Sequence, residues 1–479
     1  MSMQTIWIIF GVCSIPVIGY IIYAFTSGDE GNKSKKKNPF HVKWLTTKGY
    51  EYIDILRGCF ISAGAGGGKS QAMLNIYKHC AENRIAVVNH DYKDFELTYM
   101  SNYFYAKTDL PIWTISPARP DLSHCINPIE PKYIDKFEDI NKIAADFAAN
   151  LSKVDGSGDN AVFLEGAESC FAAVAWRLKE DYPKYCSIPY VVSIIMQKDF
   201  TKVLQFIEKS PYAALLGKPY REEALNEKLM GSVQFALTGA LRKVCTPEIF
   251  KIFGTSDFDL DINTPGKESM LNLVNHPKYD FIYSPFLSTV ARCAFNQMSE
   301  QGRQPSLFLC DEASKLKLFD VQGIPALLRS YKIGSVFAFQ DKVQGKILYS
   351  EDIMTALISN LGSKVLGKAN DPSTAEWYQK LFELIMVKQR SVSRSTGGMT
   401  SGNSSESISE RETSKHKAYE FNKLRPGEFF IFDENGKNKK VQFKQLEYTP
   451  TPPKQLHNYS KTELKLNFDN ILAKALTLE

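Results

Sequence analysis

Residues 59–82 read CFISAGAGGGKSQAMLNIYKHCAE. The opening CFIS (59–62) is short, apolar and bounded by small residues, as a buried strand is. The stretch from Ser70, SQAMLNIYKHCAE, has the periodicity of an amphipathic helix. Between them run Ala63, Gly64, Ala65, Gly66, Gly67, Gly68, Lys69 and Ser70. This follows the phosphate-binding pattern G-x-x-x-x-G-K-[ST], with Ala63 in the first glycine's place. Alanine costs little there if its φ stays negative. The glycines let successive backbone N–H groups turn toward phosphates. Lys69 brings positive charge to the β/γ oxygens, and the Ser70 hydroxyl is a ligand for Mg²⁺. The helix behind adds its N-terminal dipole. A flexible linker has no reason to sit between an apolar strand and an amphipathic helix. The stretch therefore implies a nucleoside triphosphate ligand with Mg²⁺ as its cofactor.

Such a loop needs a second carboxylate site, and PSLFLCDEASKL (305–316) offers one. An apolar strand ends there in Asp311 and Glu312. Asp311 is expected in the Mg²⁺ shell, and Glu312 is expected to polarise the attacking water. The next apolar run, SVFAFQ (335–340), closes on Gln340, a polar residue placed where a γ-phosphate could be sensed.

Around these motifs lie more runs of the same kind: IAVV (85–88), PIWTIS (111–116), MLNLV (270–274), SKVLG (363–367) and FFIF (429–432). Buried strands alternating with helical stretches predict an α/β fold with a mostly parallel sheet. Long helical segments such as AVFLEGAESCFAAVAWRLKEDY interrupt the alternation, predicting an all-helical insert over 136–255. Residues 151–250 carry 12 acidic and 12 basic side chains, so charge does not mark the insert as a nucleic-acid binder.

The 479 residues are 44% hydrophobic and 23% charged with a net charge of +5, a folded globular composition that permits an anionic partner without demanding one. Nine scattered cysteines without a CxxC pair argue against a disulfide framework or a zinc site. Residues 6–25, IWIIFGVCSIPVIGYIIYAF, carry no charge and would span roughly 30 Å as a helix, the thickness of a bilayer core. The lysines come afterwards, at 33, 35, 36 and 37, which favours a retained anchor over a cleaved signal and predicts a cytoplasmic body. Residues 1–5 would then face outward, and 26–45 form a basic juxtamembrane linker. The Ser/Thr/Gly-rich stretch 391–415 is expected to be a flexible loop. Residues 446–479 read as a linker opening with TPTPP and a final helix. Leu464, Phe468, Ile471, Leu472 and Leu476 share one face of that helix, for docking on its own domain or on a partner.

Further segments carry a resemblance: VVNHDYKDFELTYM (87–100), HCINPIE (124–130), LLRSYKIGSVFAFQD (327–341) and FNKLRPGEFFIF (421–432). With the phosphate loop and LFLCDE, they resemble the conjugative coupling proteins, the TraG/TraD-like ATPases of type IV secretion systems within the FtsK/HerA group of motors. Asp94 stands where that family usually has glycine. The resemblance implies a RecA-like P-loop ATPase domain over 46–135 and 256–445, split by the helical insert. It implies a homo-hexamer at the bacterial inner membrane, passing relaxase-bound single-stranded DNA, or a secreted protein, to the components of a secretion channel. Arg329 would be the finger that reaches a neighbouring subunit's γ-phosphate. A protein-only motor and a nucleotide-gated recruitment platform are the alternative readings.

Overall fold

A computed structural model describes residues 38–155, 161–223, 227–394 and 404–479. The chain divides into two compact units, Met1–His41 and Val42–Glu479. The expected membrane helix, 6–25, lies outside the described residues, as does most of the basic linker. Among the described residues no helix is long and apolar enough to cross a membrane.

The strands among the described residues are β1 (His41–Thr46), β2 (Gly49–Asp54), β3 (Cys59–Ser62), β4 (Ala86–Asp91), β5 (Ile112–Ile115), β6 (Met270–Val274), β7 (Ser306–Cys310), β8 (Ile333–Phe339), β9 (Ser363–Leu366), β10 (Leu384–Arg394), β11 (Ser404–Ser414), β12 (Glu428–Phe432) and β13 (Asn438–Gln442). Nine of them form one sheet in the order β13-β12-β9-β3-β8-β7-β4-β6-β5. All pairings from β9 to β5 are parallel; β12 joins β9 and β13 antiparallel. Every residue of β3, β4, β6, β7 and β8 is buried, so both faces of the sheet centre are covered. That is why these strands read as continuous apolar runs rather than alternating ones.

Two features of this order position the site. The strand β8, which leads to Gln340, separates β3 from β7, so it runs between the glycine-rich loop and the acidic pair. The registers pair Ser62 with Phe339 and with Leu366, so these strands end level at one edge.

Helices fill the chain between β5 and β6, from Phe137–Asp155 and Ala161–Asp181 through to Glu227–Val244 and Pro247–Ile252. The helix Phe137–Asp155 packs on Asp280–Met298 beside the sheet. A buried ion pair fastens the two: Arg292 Nε lies 2.6 Å from Asp146 Oδ2. The same helix grips the segment that follows Glu312. Asp146 accepts from the Phe319 amide, and Asn150 bonds both the amide and the carbonyl of Lys317 at 3.0 and 2.7 Å. Tyr349, at the end of the helix Lys342–Tyr349, bonds the Leu316 carbonyl and the Leu318 amide.

Two expectations need correction. The stretch 391–415 is not a loop throughout: β10 and β11 pair antiparallel from Leu384↔Ser414 to Arg394↔Ser404, and only 395–403 lie outside the described residues. Composition weighed the serines as unable to bury a core, but a two-stranded ribbon needs only its ladder. In the C-terminal helix Lys461–Thr477, Leu476 is exposed; the buried face is Leu464, Ile471 and Ala475. That face packs on Ile188–Gln197 and Pro247–Ile252, with the Phe468 ring 4.6 Å from that of Phe250.

Candidate functional site

Parallel strands end together, so the segments leaving β3, β4, β7 and β8 meet at one edge, where α/β sheets bind ligands. They line one cavity of about 870 Å³. Gly64–Ser70 come from after β3, Tyr92, Lys93 and Glu96 from after β4, Glu312, Ser314 and Lys315 from after β7, and Gln340 and Gln344 from after β8.

The glycine-rich loop is shaped by positions that exclude a side chain. Gly66 and Gly68 have φ of 72° and 99°. A Cβ on Gly68 would lie 2.9 Å from the Gly427 nitrogen, and one on Gly67 would lie 2.9 Å from the Gly64 carbonyl. The LRPGE turn thus backs the loop from behind, and the Gly427 amide donates to the Gly67 carbonyl. Ala63 keeps a negative φ. Its methyl is accommodated because Gly367 faces it; a Cβ there would come within 2.7 Å of the Ala63 Cβ. The Gly64 amide donates to the Lys368 carbonyl.

Lys69, the first residue of the helix Lys69–Glu82, is buried and paired with Glu312 at 2.8 Å. Glu312 itself has φ of 44°, a left-handed turn directly after Asp311 that swings its carboxylate toward the lysine. Asp311 is buried, and burial raises its carboxyl to about 7 despite the nearby Lys69. Asp91 at the end of β4 is raised to about 6 by burial, against the Thr98 amide and hydroxyl that donate to it at 2.8 Å. Ser70 donates to Glu96 Oε1 at 2.8 Å, and Lys93 lies 3.5 Å from Glu96 Oε2. Gln344 links Gln340 and Ser314, at 3.2 and 3.3 Å.

These residues fit a nucleotide with Mg²⁺. The loop has the glycine shape a phosphate cradle needs, with a lysine and a hydroxyl at its end. Among the described residues no cluster of three or more His, Cys, Asp or Glu could enclose a metal.

Asp311 is buried and does not line the cavity, and Arg329 is absent from it altogether. Arg329 is exposed near the start of β8, in a cleft with Arg57, Asn360 and Glu434. The seven residues of β8 span roughly 23 Å at ~3.3 Å each, so Arg329 and Gln340 stand at opposite edges of the sheet. Sequence reasoning assigned no role to Glu96, Lys93, Lys315 or Gln344. A signal for the first two was present, since YKDFE puts three charged residues directly after β4.

A glycine cradle at the level end of a parallel sheet, with a strand inserted between cradle and acidic pair, defines a RecA-like phosphate-loop protein. Residues 55–420 match the type IV secretion-system coupling protein DNA-binding domain family. The chain belongs to that family. Among solved structures it is similar to the bacterial conjugative coupling protein TrwBdeltaN70, with TM-score 0.65 and 17% identity over 86% of this chain and 90% of that one. Plasmid coupling protein TrwB in complex with ADP and Mg²⁺ matches with TM-score 0.62 and 16% identity, over 83% and 88%. VirB4 of Thermoanaerobacter pseudethanolicus matches with TM-score 0.50 and 12% identity, over 85% and 97%. At these identities the likeness establishes the fold. A comparison with curated proteins found no match.

Proposed function

We propose that this chain is a membrane-anchored ATPase motor that moves relaxase-bound single-stranded DNA toward a type IV secretion channel in conjugation. The convergence of Lys69, Glu312 and Gln340 on one cavity, in a chain of the coupling-protein family, carries this reading. The loop Ala63–Ser70 would cradle the triphosphate, with Lys69 on the β/γ oxygens. Mg²⁺ held by Ser70 and Asp311 would supply further charge to the phosphates. Glu312 would take a proton from the attacking water, and Gln340 would report the γ-phosphate to the helix that begins beside it. Arg329, far from its own site, would serve a neighbour's site in a homo-hexamer. The apolar stretch 6–25 would anchor the ring in the inner membrane with the body cytoplasmic.

The test is ATP hydrolysis by the full chain in detergent, with and without single-stranded DNA. DNA-stimulated turnover abolished by Glu312→Gln supports the motor. Turnover indifferent to DNA points to a protein-only motor, and a single turnover per nucleotide bound points to a recruitment platform.

A further inference from the structure

Ser70 and Glu96 come from different strands, yet their side chains meet. The chain leaves β4 at Asp91 and must double back at once to bring residue 96 to the glycine-rich loop. It does so through two consecutive left-handed residues, Asp94 at φ 50° and Phe95 at φ 75°. Such angles are uncommon for any residue other than glycine, and exceptional for one as bulky as phenylalanine. The burial of Phe95 and its stacking on Tyr99 at 5.8 Å hold the turn in place. The helix Glu96–Tyr105 then begins at Glu96. Strain kept at a ligand pocket asks what it positions.

What it positions is a hydrogen bond. The Ser70 hydroxyl has one proton and two lone pairs. Its proton is donated to Glu96 Oε1 at 2.8 Å. The lone pairs are thereby turned away from Glu96. The other carboxylate oxygen is 3.5 Å from the Lys93 ammonium, a half-exposed ion pair. Both Ser70 and Glu96 line the cavity.

We propose that Glu96 is a positioning residue for Mg²⁺: it accepts the hydrogen bond of the Ser70 hydroxyl and so turns that hydroxyl's oxygen lone pairs toward the cation. The inference rests on the nucleotide reading above and adds a residue to it. Partners of this kind orient metal ligands, and their loss typically costs about 10–100-fold in metal affinity. Because Glu96 acts through Ser70, its effect must vanish when the hydroxyl is gone.

The test measures binding of fluorescently labelled ADP to the full chain in detergent while Mg²⁺ is titrated. Glu96→Ala should raise the Mg²⁺ needed for half-maximal tightening by about 10–100-fold. Its Mg²⁺-free ADP affinity should not fall, since removing a carboxylate beside the phosphate loop removes repulsion rather than attraction. Ser70→Ala should show a similar loss, and Ser70→Ala with Glu96→Ala should be no worse than Ser70→Ala. Glu96→Gln keeps an acceptor for the hydroxyl and guards against misfolding; it should recover most of the Mg²⁺ affinity. Additive losses in the double variant, or an unchanged Mg²⁺ requirement in Glu96→Ala, overturn the inference while leaving nucleotide binding intact. Failure of the wild-type chain to bind ADP at any Mg²⁺ concentration overturns the nucleotide reading itself.

Discussion

Lys69 Nζ and Glu312 Oε1 stand 2.8 Å apart, with only 7% and 8% of their side chains exposed. Two residues read separately from the sequence, 243 positions apart, are each other's counter-ion. In this arrangement the lysine is committed to the carboxylate rather than to a phosphate. A nucleotide that drew Lys69 away would leave Glu312 without its counter-ion. Under the proposed function, the carboxylate would leave the lysine only when a nucleotide is in place.

The pair also predicts stability. Removing one member of a buried pair leaves an uncompensated charge, which costs about 3–5 kcal/mol. Lys69→Ala should therefore lower the melting temperature of nucleotide-free protein markedly. Adding Glu312→Gln should restore most of it, because the buried carboxylate is then neutral. Thermal denaturation of the three proteins decides this; equal melting of Lys69→Ala and the double variant would show that the pair carries no such energy.

Arg329 predicts an effect between subunits. Arginine fingers are worth about 10³–10⁵ in rate. Arg329→Ala should bind ATP normally and hydrolyse it poorly. Mixing it with Lys69→Ala should recover part of the activity in mixed rings, where an intact loop meets an intact arginine. Pull-down confirming mixed assembly without recovery would remove Arg329 from the mechanism.

Glu168, on the helix Ala161–Asp181, lines a second cavity of about 1020 Å³. Burial, with Glu165 and Asp146 nearby, raises its carboxyl from 4.5 to about 7. The folded chain then holds a proton there that the unfolded chain releases, so stability is full below about pH 4.5 and falls as pH rises to about 7. Glu168→Gln removes this titration. Its melting temperature should exceed wild type at pH 8 and approach it at pH 5. Parallel curves for the two proteins would contradict the shift.

Much of this was legible in the sequence. The eight apolar runs all became strands, and in five of them, β3, β4, β6, β7 and β8, burial on both faces writes itself as an uninterrupted run. The strands that went unread, β1, β2, β10, β11 and β13, are outer or paired only with a neighbour in sequence. Their residues alternate or are polar, so nothing marks them as strands. Ala63 against Gly367 and Gly68 against Gly427 were beyond reach, because each is a contact across hundreds of residues that no local pattern records. Glu96 was half legible. Its charge was plain, but the two left-handed residues that aim it at Ser70 follow from packing.

The segment Leu316–Phe319 is held from two directions. Asp146 and Asn150 grip it from the helical insert, and Tyr349 grips it from the helix that starts beside Gln340. It leaves Glu312 only four residues earlier. So the helix Phe137–Asp155 cannot tilt against the sheet with these bonds intact unless this segment travels with it, and Glu312 stands at its root. A displacement of that helix and a displacement of Glu312 would therefore pass through the same short stretch of backbone.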